Sequence, residues 1–374
     1  MRQHFSRLRL VWFWLAVAMI ASTPAAGADW PMFRGNAANT GVSTGAAAGD
    51  IGKEPKFLWR FDTGGVVESS PAIADGVLYQ GTFNRALFAL DATSGRELWR
   101  FRVGGLLRAS PAVVDGLVYF GADDNRFYAV DAKTGVQRWV FAVGPGGEQS
   151  SPAVVDGMVY FGAFDRNVYA LDAKTGAERW RFPTGAGILS SPAVSEGLVF
   201  IGSIDGKVYA LDSSSGAERW SVQTGGPVFS SPAVANGHVY IGSDDGHVYA
   251  LAVGDGKLRW RFRAGREVFS SPAVADGIVY VGAHTGFLYA LDAASGESVW
   301  RSNLRGAVFG SPAVTNNRVY IGSSDGNFYA LDRVTGAPQA VVPIGNNVWT
   351  SPTVSGTGVY FGAHTGFIYG LATN

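Results

Sequence analysis

Arginines, carboxylates, amides and large aromatic rings share one repeated position in this chain. Two residues ahead of each of eight Ser-Pro pairs the sequence reads Glu68, Arg108, Gln149, Leu189, Phe229, Phe269, Phe309 and Trp349. Polar residues fill one sector and aromatic residues the other. A second position divides the same way: Arg85, Asn125 and Arg166 stand where later copies have Gly206, Gly246, Gly286, Gly326 and Gly366, and Arg126 adds to them. A one-residue insertion falls in the same sector, within Pro145-Gly146-Gly147-Glu148. The arginine fork suits bidentate recognition of carboxylates, and arginine and aromatic residues dominate binding hot spots. The pattern therefore predicts a two-sided face for a protein or peptide. Arg85, Arg108, Arg126 and Arg166 would take its carboxylates, Glu68 and Gln149 would complete the polar sector, and Phe229, Phe269, Phe309 and Trp349 would take its apolar part. The alternative is drift in exposed loops, with the phenylalanines filling the mouth of a channel.

Catalytic chemistry is harder to assemble. His284 and His364 occupy equivalent places two copies apart, too far for a shared metal unless the channel brings them in, and lone histidines in repeats are usually packed or surface residues. Asp123-Asp124 and Asp244-Asp245 could resemble part of a calcium site, which needs six to eight oxygen ligands. Asp before Gly or Asn is also ordinary turn chemistry, so no metal site is predicted. A serine repeated eight times reads as structure and not as a nucleophile. There is no nucleophile beside a base and no glycine-rich phosphate loop, so no catalytic residue is assigned.

The Ser-Pro pairs that carry these positions begin at Ser70, Ser110, Ser151, Ser191, Ser231, Ser271, Ser311 and Ser351, spaced 40 residues apart with one step of 41. A fixed period of this size marks units that bury their apolar faces only against their neighbours. Each unit reads as four short strands. Asp-Gly or Asn-Gly at Asp75-Gly76, Asp115-Gly116, Asn236-Gly237 and Asp276-Gly277 is the hairpin signal. Middle strands such as Ile278-Val279-Tyr280-Val281 are apolar throughout, which predicts burial on both faces. Proline lacks an N–H and is tolerated at a sheet edge, so the Ser-Pro strand should be innermost, facing a central channel. The last copy ends after three strands, while a spare strand with Trp59 precedes the first copy. That strand is expected to complete the last unit and close the ring, so that a chain starting after Phe61 loses cooperative folding.

The third and fourth strands hold the pattern Ala-x-Asp-x-x-x-Gly-x-x-x-Trp, complete at Ala89–Trp99, Ala129–Trp139, Ala170–Trp180, Ala210–Trp220 and Ala290–Trp300. This resembles the tryptophan-docking repeat of pyrroloquinoline quinone (PQQ) enzymes and their relatives. The resemblance implies an all-β fold, an eight-bladed β-propeller of four-stranded antiparallel blades with each tryptophan between neighbouring blades. Trp180→Ala should cost about 3–5 kcal/mol. Ala252 replaces Asp in the fifth copy and Ala340 replaces Trp in the seventh, which makes the seventh blade the expected seam. Quinoprotein dehydrogenases carry an adjacent cysteine pair, and BamB-like outer-membrane assembly propellers an anchoring cysteine; this chain has no cysteine. The start Trp30-Pro31-x-Phe33-Arg34-Gly35 is similar to that of exported PQQ-like repeat proteins without an assigned activity. The preferred expectation is a non-enzymatic scaffold binding protein or peptide, with envelope assembly as the context the BamB resemblance implies. The alternative is a PQQ enzyme, with calcium, in which Trp349 lies beneath the quinone.

Composition fits that frame. The chain has 374 residues, 47% hydrophobic, with 51 glycines and a formal charge of zero. Residues 1–28 read as a secretory signal: a basic start, an apolar run from Leu10 to Ala21 and Ala26-Gly27-Ala28 as a cleavage site. Twelve apolar residues fall short of the about 20 that span a bilayer. Cleavage would remove Arg2, Arg7 and Arg9, and the faintly acidic remainder excludes the basic face nucleic acid requires. The expected product is periplasmic or secreted, monomeric and without a membrane anchor, with an extension or linker over 29–53 and the propeller over 54–374. Trp30 and Phe33 are expected to pack outside the ring, and loss of residues 29–49 to be tolerated better than loss of the closing strand.

Overall fold

The strands form where the turns allow them. Asp75-Gly76, Asp115-Gly116, Asp156-Gly157, Asn236-Gly237 and Asp276-Gly277 all hold positive φ at both residues (50° and 74° in the first), the conformation that closes a two-residue hairpin. Glu196-Gly197 adopts the same turn at 53° and 73°, although glutamate there gives no sequence signal. The computed structural model describes residues 29–43, 50–356 and 358–373. The expected signal segment and its cleavage site lie outside them.

Eight four-stranded antiparallel sheets form the ring. Blade one runs outward through Ala72–Ala74, Val77–Thr82, Ala86–Asp91 and Glu97–Arg102, and the later copies repeat it. The eighth sheet takes Thr353–Ser355, Gly358–Gly362 and Phe367–Ala372 from the end of the chain and Phe57–Asp62 from its beginning. Phe61 lies opposite Ile368 and Asp62 opposite Phe367. The first and last parts of the chain thus close the ring, as the strand count requires.

Two rings of hydrogen bonds tie the blades together. Around the axis, each Ser-Pro serine donates its backbone N–H to the Oγ of the next blade's serine, at 2.8–3.2 Å, from Ser70 to Ser110 and on to Ser351, which returns to Ser70. Farther out, seven tryptophans donate Nε1–H to a carbonyl of the following blade at 2.8–3.1 Å, from Trp59 to Ala92 through Trp300 to Arg333. A tyrosine often joins the same acceptor: Tyr79 and Trp99 both donate to the Ala132 carbonyl. The indole covers the glycine of the neighbouring turn. A Cβ on Gly216 would lie 2.7 Å from the Trp180 ring, so glycine is required by the approach as well as by its φ of 72°.

Ala340 has a physical reason. A tryptophan there would dock on the outer turn of blade eight, but that blade's third and fourth strands are the two ends of the chain and share no hairpin turn. The N-terminal segment covers this seam. Ile51 is buried and donates its N–H to Tyr320 Oη at 3.1 Å, and the Asp50 carboxylate accepts from Asn317 Nδ2 at 2.9 Å.

The expectation that Trp30 and Phe33 pack outside the ring is corrected. Residues 30–43 thread the central channel and add hydrogen bonds to six inner strands. Trp30 exchanges both backbone bonds with Ile73; the N–H groups of Val113, Val194, Val234, Val274 and Val314 donate to the carbonyls of Pro31, Ala37, Ala38, Thr40 and Gly41. Trp30 is 2% exposed. Arg34 is fully buried there, donating from Nη2 to the Pro272 carbonyl at 3.2 Å and from Nη1 to that of Pro312. The physical reason is that inner strands have a free edge facing the axis, and a segment folded through turns, with Arg34, Gly35, Asn39 and Gly41 at positive φ, presents its carbonyls to that edge.

Candidate functional site

The serine ring narrows the channel, and the residue two positions earlier in each blade stands above it. All eight of these residues, from Glu68 to Trp349, line one axial chamber of about 190 Å³, with the eight ring serines and Phe33 around the rest of it. The repeat register therefore converts a sequence position into a convergent site. Phe33 enters only because the N-terminal segment occupies the channel.

On one side the rings pack as a wall. Phe229 stacks on Phe269 at 4.6 Å and 5°, and Phe309 on Trp349 at 4.3 Å and 28°. His284 lies against both Phe269 and Phe309, at 4.7 and 4.2 Å, and burial lowers its pKa. His364 contacts Trp349 at 4.3 Å and places Nε2 3.2 Å from Glu68. The two histidines thus buttress the wall separately. Among the described residues no group of three or more His, Cys, Asp or Glu is placed to hold a metal.

The polar side differs from the expected arginine sector. Arg108 does line the chamber, but its guanidinium is engaged: Nε lies 3.1 Å from Asp123 and 3.9 Å from Glu148, Nη1 lies 3.4 Å from Glu68, and Cζ sits 4.7 Å from the Phe83 ring centre. Three carboxylates face one guanidinium, so this arginine is not free to take a partner's carboxylate. Burial pushes the Glu148 carboxyl up against the pull of Arg108, and Asp123 and Glu68 push the same way. Arg85, Arg126 and Arg166 do not join the chamber. They are exposed in or beside the loops between second and third strands, where Arg85 and Arg166 hold φ of 56° and 74° in glycine's place. Gln149 is 4% exposed and its Nε2 turns back to the Gly147 carbonyl.

The insertion explains Glu148. Gly146 and Gly147 take φ of 140° and 77°, the Gly147 N–H donates to Asn125 Oδ1 at 2.7 Å, and the loop brings Glu148 to the chamber lining. The irregularity is visible in the sequence; that it delivers a carboxylate to the chamber is not. The aspartate pairs hold structure together. Asp124 accepts from the Gly104 N–H at 2.9 Å and Tyr128 Oη at 2.7 Å, and Asp245 from the Gly225 N–H at 2.8 Å. Asp244 is less well satisfied: Oδ1 is buried without a hydrogen bond, and burial, with Glu267 and Asp245 adding, pushes its carboxyl up to about 6.

No curated protein matches the chain in sequence. Among solved structures, BamB from Moraxella catarrhalis superposes with a TM-score of 0.74 at 17% identity, over 85% of this chain and all of that one. Quinohemoprotein alcohol dehydrogenase from Comamonas testosteroni gives 0.78 at 17%, over 92% and 80%. The computationally designed Ika8 protein gives 0.74 at 19%, over 84% and 98%. One fold thus holds an assembly protein, an oxidoreductase and a designed chain, and these likenesses speak to architecture alone. The family model described as outer membrane protein assembly factor BamB matches residues 53–181, 164–268 and 246–371. These matches cover the ring from its closing strand to its last blade, and the chain belongs to that PQQ-like repeat family.

Proposed function

We infer that the protein is an exported scaffold, periplasmic or secreted, which holds a protein or peptide partner on the face around the axial chamber, in the manner of an envelope-assembly propeller. The observation that carries this is the aromatic wall of Phe229, Phe269, Phe309 and Trp349, half-buried at the mouth of a concave site. Large rings left partly open in such a place serve as anchors for a partner. The family match to an assembly factor supports the same reading.

The PQQ reading fits the chamber poorly. A tricarboxylated quinone needs cationic partners, yet Arg108 is already outnumbered by Glu68, Asp123 and Glu148. Phe309 covers one face of Trp349, and its indole N–H is donated to Ser324 Oγ at 2.9 Å. A volume of about 190 Å³ also falls below the roughly 300–1,000 Å³ of ordinary small-molecule sites.

The test is a photo-reactive residue placed at Leu189, on the chamber rim, and separately at Val334, 80% exposed on an outer turn. In the native cell the Leu189 probe should give a discrete protein adduct that the Val334 probe does not. No adduct at Leu189, or the same adducts from both positions, contradicts the scaffold reading.

A further inference from the structure

The chamber that anchors the partner has a definite charge preference. Its polar wall carries Glu68 and Glu148, with Asp123 directly behind. Arg108 makes its shortest ion pair with Asp123, and its contacts to Glu68 and Glu148 are longer, at 3.4 and 3.9 Å. One guanidinium thus serves three carboxylates, and the further basic contact is that of His364, 3.2 Å from Glu68, which leaves the polar wall short of positive charge. A carboxylate in a partly desolvated cleft with a negative neighbour attracts a cation.

An independent feature is the ring of serines. Each ring serine is only 4–7% exposed and lines the chamber. Each Oγ accepts one backbone N–H from the neighbouring blade, for example Ser110 Oγ from Ser70 at 2.8 Å. Among the described residues these hydroxyls donate to no protein atom, so each keeps its O–H and a second lone pair for whatever enters the chamber. Opposite the carboxylates stands the aromatic wall. The site is apolar along one side, anionic along the other and hydroxylated at its narrow end.

We propose that the chamber receives a lysine or arginine side chain of the partner. The proposal rests on the scaffold reading and names the chemistry of its anchor. An aliphatic stem lies along Phe269, Phe309 and Trp349, and the cationic head reaches Glu68 and Glu148. Long basic side chains divide in this way between apolar surface and charge. The chamber's size suits a single extended side chain. A partner's acidic residue, which the repeat pattern alone would have chosen, is repelled.

The experiment uses the mature protein and three blocked tripeptides, Ac-Gly-Lys-Gly-NH2 and its norleucine and glutamate counterparts, titrated by NMR while the Trp349 indole signal is followed. The lysine peptide should bind most tightly and weaken with added salt, and Glu68→Gln with Glu148→Gln should weaken it by about tenfold or more. Equal binding of the lysine and norleucine peptides, preference for glutamate, or no binding at millimolar concentration overturns the proposal. The ranking in the unaltered protein needs no variant to fold. If the Leu189 adduct forms to an undiminished extent in the doubly substituted protein, the cationic anchor fails while the scaffold reading stands. If no adduct forms even in the unaltered protein, the scaffold reading fails on its own.

Discussion

Gly116 and Gly216 form a matched pair for measuring what tryptophan docking contributes. Both have left-handed backbone, at φ of 75° and 72°. A Cβ added at Gly116 meets nothing within 4 Å, whereas one at Gly216 falls 2.7 Å from Cδ2 and Cε3 of Trp180. Gly116→Ala should therefore cost only the left-handed penalty, about 1–2 kcal/mol. Gly216→Ala adds a steric term of about 1–3 kcal/mol because the ring cannot retreat from a packed blade interface. Trp180→Ala alone should cost about 3–5 kcal/mol through lost packing, and it also removes the Nε1 bond to the Ser213 carbonyl at 2.9 Å. In the Trp180→Ala background the clash at residue 216 is gone, so the double variant should be more stable than the summed single effects by about 1–3 kcal/mol. Urea unfolding followed by far-ultraviolet circular dichroism measures all four proteins without relying on tryptophan emission. Equal costs for Gly116→Ala and Gly216→Ala, or strict additivity in the double variant, would refute the claim that the indole holds the blades by seating on glycine.

Asp244→Asn should stabilise at neutral pH. The folded protein holds this proton more tightly than the unfolded chain, since the carboxyl rises from 3.8 to about 6, so stability falls as pH rises through that window. Discounted for partial exposure and screening, the gain at pH 7.5 is about 1 kcal/mol; thermal melts should show it there and lose it near pH 3.5, and a gain independent of pH would contradict the assignment. A chain starting at Asp50 should melt well below one starting at Asp29, because six inner strands lose partners in the channel; identical melts would show that the channel segment is dispensable. A chain starting at Asp62 should in addition lose a single cooperative transition, because the last blade then lacks its fourth strand; a sharp, full-amplitude melt would reject that closure.

What the sequence disclosed follows from repetition. Ser-Pro, Asp-Gly and the tryptophan pattern recur in register, and eight copies of one local rule leave little choice but a closed ring. The convergence of Glu68, Arg108, Gln149 and the aromatic residues was legible for the same reason. The charge of the site was not, because Glu148 arrives on an insertion without counterpart in other blades and Asp123 reads as a turn residue. Arg108 looked free only while these two carboxylates were out of view. The channel segment was concealed by composition: Ala37, Ala38, Thr40 and Gly41 resemble a linker, yet small residues are what a narrow channel between inner strands admits. Trp30, 2% exposed, and Arg34, 1% exposed, were its strongest signals, since neither suits a solvated linker.

The most direct test is to map the partner peptide joined to the photo-reactive residue at Leu189. The account predicts one recurrent segment with a lysine or arginine within a few residues of the joined position, reaching toward Glu68 and Glu148. A recurrent acidic segment, or a scatter of unrelated peptides with no basic residue in common, would contradict it.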